Sequence, residues 1–90
     1  MAKTYFETFK IVTVSSNTNS FGLYGVVILS KTGKAFEIGM GSINEPAKGQ
    51  ALIGELTLSG DLVAIKGKSY EIPRKLSPPP AEVILEVWGN

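Results

Sequence analysis

The chain reads as an all-β protein, a small barrel or sandwich of five or six short strands with at most one short helical turn. Three observations predict this. Ten glycines and five prolines cut the 90 residues into short apolar runs, which is the punctuation of strands and tight turns. Several of these runs alternate apolar and polar residues, the period-two pattern of a strand with one buried face. No window of about 11 residues keeps a helical period without a Gly or Pro interrupting it. The best helical stretch, 45–54, holds Pro46 and Gly49 and accommodates one turn.

Tyr5–Ser15 forms the first strand. Phe9 and Ile11 share one face and Val12 and Val14 the other, so the alternation slips near Ile11. A bulge or sharp bend at that point turns a strand around the corner of a small barrel. Ser15–Ser20 contains only Ser, Asn and Thr and reads as a solvated loop. Phe21–Leu29 is apolar on both faces, with Leu23, Val27 and Leu29 on one and Tyr24, Val26 and Ile28 on the other. Such a strand lies between layers or at a subunit contact. Ser30–Lys34 is a tight turn around Gly33. Ala35–Ile43 alternates cleanly, with Phe36, Ile38 and Met40 toward the core and Glu37, Gly39 and Gly41 opposite. The two glycines permit sharp coiling or the close approach of another backbone or a ligand.

Asn44–Gln50 connects to a second hairpin. Its strands are Ala51–Leu58, with Leu52, Leu56 and Leu58 in phase, and Leu62–Lys66, joined by the turn at 59–61. After Gly67-Lys68-Ser69, Tyr70–Ile72 is a short strand stopped by Pro73. Residues 73–80 are a proline-rich connector ending in Pro78-Pro79-Pro80, which favours extended polyproline geometry. Ala81–Trp88 reads as the last strand, with Val83, Leu85 and Val87 on one side and Glu82, Ile84, Glu86 and Trp88 on the other. It is free to pair with the first strand or to cross to a neighbouring chain. A chain of this length forms one domain, 1–90.

Composition excludes much chemistry. Nine Lys and Arg against eight Asp and Glu leave a net charge of +1, which argues against binding duplex DNA by bulk charge. The absence of Cys and His removes disulfides, thiolate nucleophiles, cysteine zinc sites and the commonest general base and metal ligand. Glu37, Glu55, Asp61, Glu71, Glu82 and Glu86 fall at turns or solvent-side positions and read as surface charge. No Ser–Lys pair, phosphate loop or acidic calcium loop has its supporting pattern. The expectation is a protein without catalysis, cofactor or metal. No apolar run reaches the roughly 20 residues of a membrane span. The N-terminus, Met-Ala-Lys-Thr, lacks an apolar signal core. The location expected from this is cytoplasmic, with no membrane partner.

Charge is nonetheless segregated. Lys31 and Lys34 flank one turn, Lys66, Lys68, Arg74 and Lys75 form a second basic group, and Glu82 and Glu86 make the last segment acidic. Tyr5, Tyr24, Phe36, Tyr70 and Trp88 are available for stacking. Exposed aromatics beside lysines bind single-stranded nucleic acid, whereas lysines in turns also protect sheet edges and aromatics also fill cores.

Ser30-Lys31-Thr32-Gly33-Lys34-Ala35-Phe36-Glu37 resembles the hairpin of small OB-fold single-stranded-DNA-binding proteins, in which a Gly-Lys turn leads into an aromatic-starting strand. Gly60-Asp61-Leu62-Val63-Ala64-Ile65-Lys66-Gly67-Lys68 is similar to that fold's strand of glycine, acidic, apolar and glycine residues. The expected barrel is OB-like or SH3-like, and the resemblance implies strand binding by Tyr24, Lys31, Lys34 and Phe36. Two functions follow. One is a single-stranded nucleic-acid-binding module using those residues with Lys66 and Lys68. The other is a protein-interaction or assembly module acting as a homo-oligomer, such as an accessory protein of a phage or mobile element, with Val26, Ile28, Ile84 and Trp88 at its interface.

Overall fold

The computed structural model describes residues 3–89. In chain order the elements are β1 (Thr4–Thr18), β2 (Leu23–Ser30), β3 (Ala35–Gly41), a 3-10 turn (Ser42–Asn44), β4 (Ala51–Thr57), β5 (Leu62–Ile65), β6 (Glu71–Leu76) and α1 (Ala81–Trp88). The six strands form one sheet in the order β5-β4-β1-β2-β3-β6, antiparallel throughout. The sheet curls into a half-barrel with β5 and β6 as its edges. The two edges approach at one end, where the Lys75 ammonium on β6 reaches the Ser59 carbonyl at 3.4 Å and the Asp61 carboxylate at 3.9 Å in the β4–β5 turn. At the other end the chain crosses from β5 to β6. There Asn44 holds it, donating its amide to the Ser69 carbonyl at 3.0 Å and accepting the Ser69 N–H at 3.3 Å.

Period-two patterning builds the core. Phe9 and Ile11 of β1, Val26 and Ile28 of β2, Phe36, Ile38 and Met40 of β3, Leu52 and Leu56 of β4, and Leu62 and Ile65 of β5 converge on the concave face. The predicted slip near Ile11 is a bulge: Ile11 pairs with Ile28 and Thr13 with the adjacent Val27, leaving Val12 unopposed. The extra residue turns Val14 inward, where it packs against the core, and not to the face of Val12 as the uninterrupted alternation implied. An added residue in one strand resets the phase of everything after it.

Other sequence expectations need correction. Ser15–Thr18 continues β1, because Thr18 still pairs with Tyr24 and the Ser15 hydroxyl accepts the Gly25 N–H at 2.9 Å. Pro73 does not end its strand. β6 runs through it at a bulge, where Ile72 and Pro73 together face Ile38 of β3 and Ile72 takes φ 51°. An edge strand tolerates the missing N–H. The proline-rich connector therefore begins after Leu76. Leu58 lies beyond the end of β4 and is exposed, and Ile43 sits in the 3-10 turn and is exposed. The largest departure is Ala81–Trp88, which is a helix and closes no barrel.

Candidate contact surface

The convex face of the sheet divides into a covered half and a bare half. α1 makes the covered half. Pro80 stands at its N-cap position, Glu82 lies in its first turn, and Gly89 follows at φ 73° with its N–H bonded to the Leu85 carbonyl. Proline before, acid in the first turn and glycine after are helix punctuation. Val83, Ile84, Val87 and Trp88 then share the face turned to the sheet and are half-buried. The Trp88 indole donates to the Leu29 carbonyl at 3.1 Å. The Lys10 ammonium lies 4.8 Å from the Trp88 ring centroid and donates to the Val87 carbonyl at 3.4 Å. Ile84 rests on Gly33. Under this cover Leu29, on the convex face opposite Lys10, is buried.

The bare half is carried by β1, β4 and β5. Phe6 pairs with Glu55, Glu55 pairs with Ala64, and the Lys66 N–H bonds the Ile53 carbonyl at 2.9 Å. These pairings place Phe6, Ile53, Glu55, Ala64 and Lys66 side by side on the convex face, around a shallow groove of about 370 Å³. Phe6 is 64% and Ile53 42% exposed. Glu55 accepts a hydrogen bond from the Thr4 hydroxyl. The strand edges are protected differently. β5 has four residues, and β6 carries Pro73, Arg74, Lys75 and a bulge, all features that discourage edge pairing.

The structure separates the predicted nucleic-acid residues. Phe36 is buried, its ring meeting Phe9 edge-on at 5.9 Å, and offers no stacking surface. Tyr24 packs half-buried against the core. Lys31 is exposed in the β2–β3 turn. Lys34 is half-buried, with its ammonium 3.5 Å from the Glu7 carboxylate and 5.9 Å from the Tyr5 ring centroid. Lys66 borders the bare groove. Lys68 lies at the far end of the sheet, donating to the Asn44 carbonyl at 3.2 Å. Lys31 and Lys34 thus stand at the β2–β3 turn, Lys66 on the groove and Lys68 at the end held by Asn44. Lys34 is instead met by Lys75, since both side chains close over Gly60, whose Cβ position would lie 4.0 Å from Lys34 Cε and 3.5 Å from Lys75 Nζ.

The structure turns the predicted interface residues toward the molecule's own interior. Val26 and Ile28 are fully buried in the core and present nothing to a partner. Ile84 and Trp88 face the chain's own sheet. The stripe formed by Gly39 and Gly41 is likewise occupied from within, because Leu23 lies across it, 3.0 Å from the Cβ position at Gly39. Sequence reasoning missed Phe6 and Ile53. The available signal was a large apolar residue on the solvent phase of a strand: Phe6 opposes the phase of Phe9, and Ile53 that of Leu52 and Leu56.

Glu7 is the half-buried end of a polar network beneath the β2–β3 turn. Burial acts to raise its pKa, but hydrogen bonds from Ser30 and Thr32 and the Lys34 ammonium outweigh burial and hold it below the ordinary value. Ser30, itself fully buried, accepts the Lys34 N–H at 2.9 Å. Burial raises the Tyr70 phenol. Among the described residues no group of three or more acidic side chains stands close enough to hold a metal ion, and no helix is long and apolar enough to cross a membrane. Comparison with family models, curated proteins and solved structures finds no match to this chain.

Proposed function

We propose that the chain is a non-enzymatic binding module that acts through a protein contact on the bare half of its convex face. One observation carries this reading. The chain uses its own helix to cover the apolar strip around Leu29, yet leaves Phe6 and Ile53 uncovered on the same face. Completing the burial of two such side chains is worth about 0.5–2 kcal/mol each, and a large apolar residue at the centre of a patch rimmed by polar groups is the usual anchor of a protein interface. Single-stranded nucleic acid draws less support, since its stacking residue Phe36 is buried and its Lys34 is held by Glu7.

Photo-cross-linking in cells tests the proposal. With Phe6→p-benzoylphenylalanine, a discrete protein adduct is expected, and Ile53→Asp in the same chain abolishes it. A nuclease-sensitive adduct contradicts the reading, as does an adduct indifferent to Ile53→Asp.

A further inference from the structure

We infer that the partner of this face is a second copy of the chain, docked face to face about a two-fold axis that sets Glu55 against the partner's Lys66. The inference rests on the protein-contact reading above and names its partner. Self-complementarity is the argument. A two-fold interface places one patch against itself, so every charge in it must meet its opposite on the same patch. This patch carries one carboxylate, Glu55 on β4, and one ammonium, Lys66 on β5, at diagonal positions two residues and one strand apart around the groove. An in-plane axis between them makes both ion pairs at once. Ile53, whose carbonyl holds the Lys66 N–H, then lies near the axis and meets its own copy. Phe6, at the rim of the groove, covers the partner's Ile53 and the stem of the partner's Lys66. A foreign partner would not need the patch to be balanced in this way.

The size of the patch sets the strength. Three strands about 4.8 Å apart and roughly six residues long present on the order of 300 Å². A standard stable interface buries about 800 Å² per partner. The dimer is therefore weak and reversible.

Sedimentation equilibrium of the purified chain over a concentration series, up to about 1 mM, tests this. The wild type is expected to move from monomer toward dimer. Glu55→Lys and Lys66→Glu each turn both ion pairs repulsive and weaken association about tenfold or more. An equimolar mixture of the two variants restores it, because one chain then carries both positive residues and the other both negative. Each variant alone serves as the folding control for the mixture. Association of the single variants equal to wild type, or a mixture no stronger than either variant, overturns the arrangement. A wild type that stays monomeric throughout, while position 6 still cross-links another protein, overturns the second copy and leaves the protein-contact reading standing. Loss of both results overturns the two together.

Discussion

Gly54→Ala sets two known effects against each other, and the packing decides the sign. Gly54 lies on the concave side of β4 between Leu52 and Leu56 and pairs with Glu7 and Ile65. Its backbone is not in the positive-φ region. On chain entropy alone, Ala is therefore favoured by about 0.4–1 kcal/mol. The Phe9 ring occupies the space where the methyl would go. A Cβ at 54 would lie 2.7 Å from Phe9 Cε1, 3.0 Å from Phe9 Cδ1 and 3.1 Å from Leu62 Cδ1. Phe9 is fully buried and held edge-on by Phe36, so it has nowhere to swing. Overpacking of this kind costs about 1–3 kcal/mol. The net expectation is a loss of about 0.5–2 kcal/mol, read as a lower urea midpoint with unchanged slope. In a domain of this size that lowers Tm by several degrees, at about 4–8 °C per kcal/mol. Phe9→Leu removes the obstructing ring atoms, so the double variant should lose less than the sum of the singles by about 0.5 kcal/mol or more. Equal or greater stability of Gly54→Ala, or strict additivity with Phe9→Leu, would refute the packing argument.

Four other perturbations have expected outcomes. α1 has eight residues, too few to be stable unaided, and Trp88 is the chain's only tryptophan; in urea its emission should shift red before the strand circular dichroism is lost, and coincident transitions would contradict a separable helix. Ser30→Ala removes the acceptor of the part-buried Lys34 N–H and should cost about 0.5–1.5 kcal/mol; calorimetry showing no change in Tm would remove the network from the account. The pKa of Glu7 is depressed from its ordinary 4.5, so its stabilising contribution is present above that pH and is lost as pH falls below it. Glu7→Gln should therefore flatten the acid limb of the stability–pH curve, and an unaltered limb would argue against the pairing. Tyr70 has the opposite sign: burial disfavours its phenolate, so stability should fall as pH rises above 10.0 and Tyr70→Phe should lessen that fall in alkaline urea titrations.

Alternation made β3 and β4 legible, because one-sided burial writes a period of two directly into residues such as Phe36, Ile38 and Met40, whereas β2 and β5 were legible from the turns that bound them. The bulge at Val12 was visible as a slip in that period, although its consequence, the inward turn of Val14, requires knowing which residue is unopposed. Segment 81–88 failed for a reason of length. In eight residues Val83, Ile84, Val87 and Trp88 satisfy a helical face about as well as Val83, Leu85 and Val87 satisfy a strand face. Pro80 before it, Glu82 in the first turn and Gly89 after it were the deciding punctuation. Pro73 misled because its effect depends on whether a strand is central or at an edge, and sequence does not say which. The candidate surface was half legible. Lys66 was legible as an exposed cation and borders the groove, while Phe6 and Ile53 sit on the solvent phase of strands whose core phase carries the stronger apolar signal.

The claim that the bare convex face docks a second copy of the chain is tested most directly by amide NMR spectra of the purified chain across a dilution series. Shifts that move with concentration at Phe6, Ile53, Glu55, Ala64 and Lys66, with Ile84 and Trp88 unmoved, are the predicted result. Spectra that do not depend on concentration at those five residues, or changes gathered around α1, would contradict it.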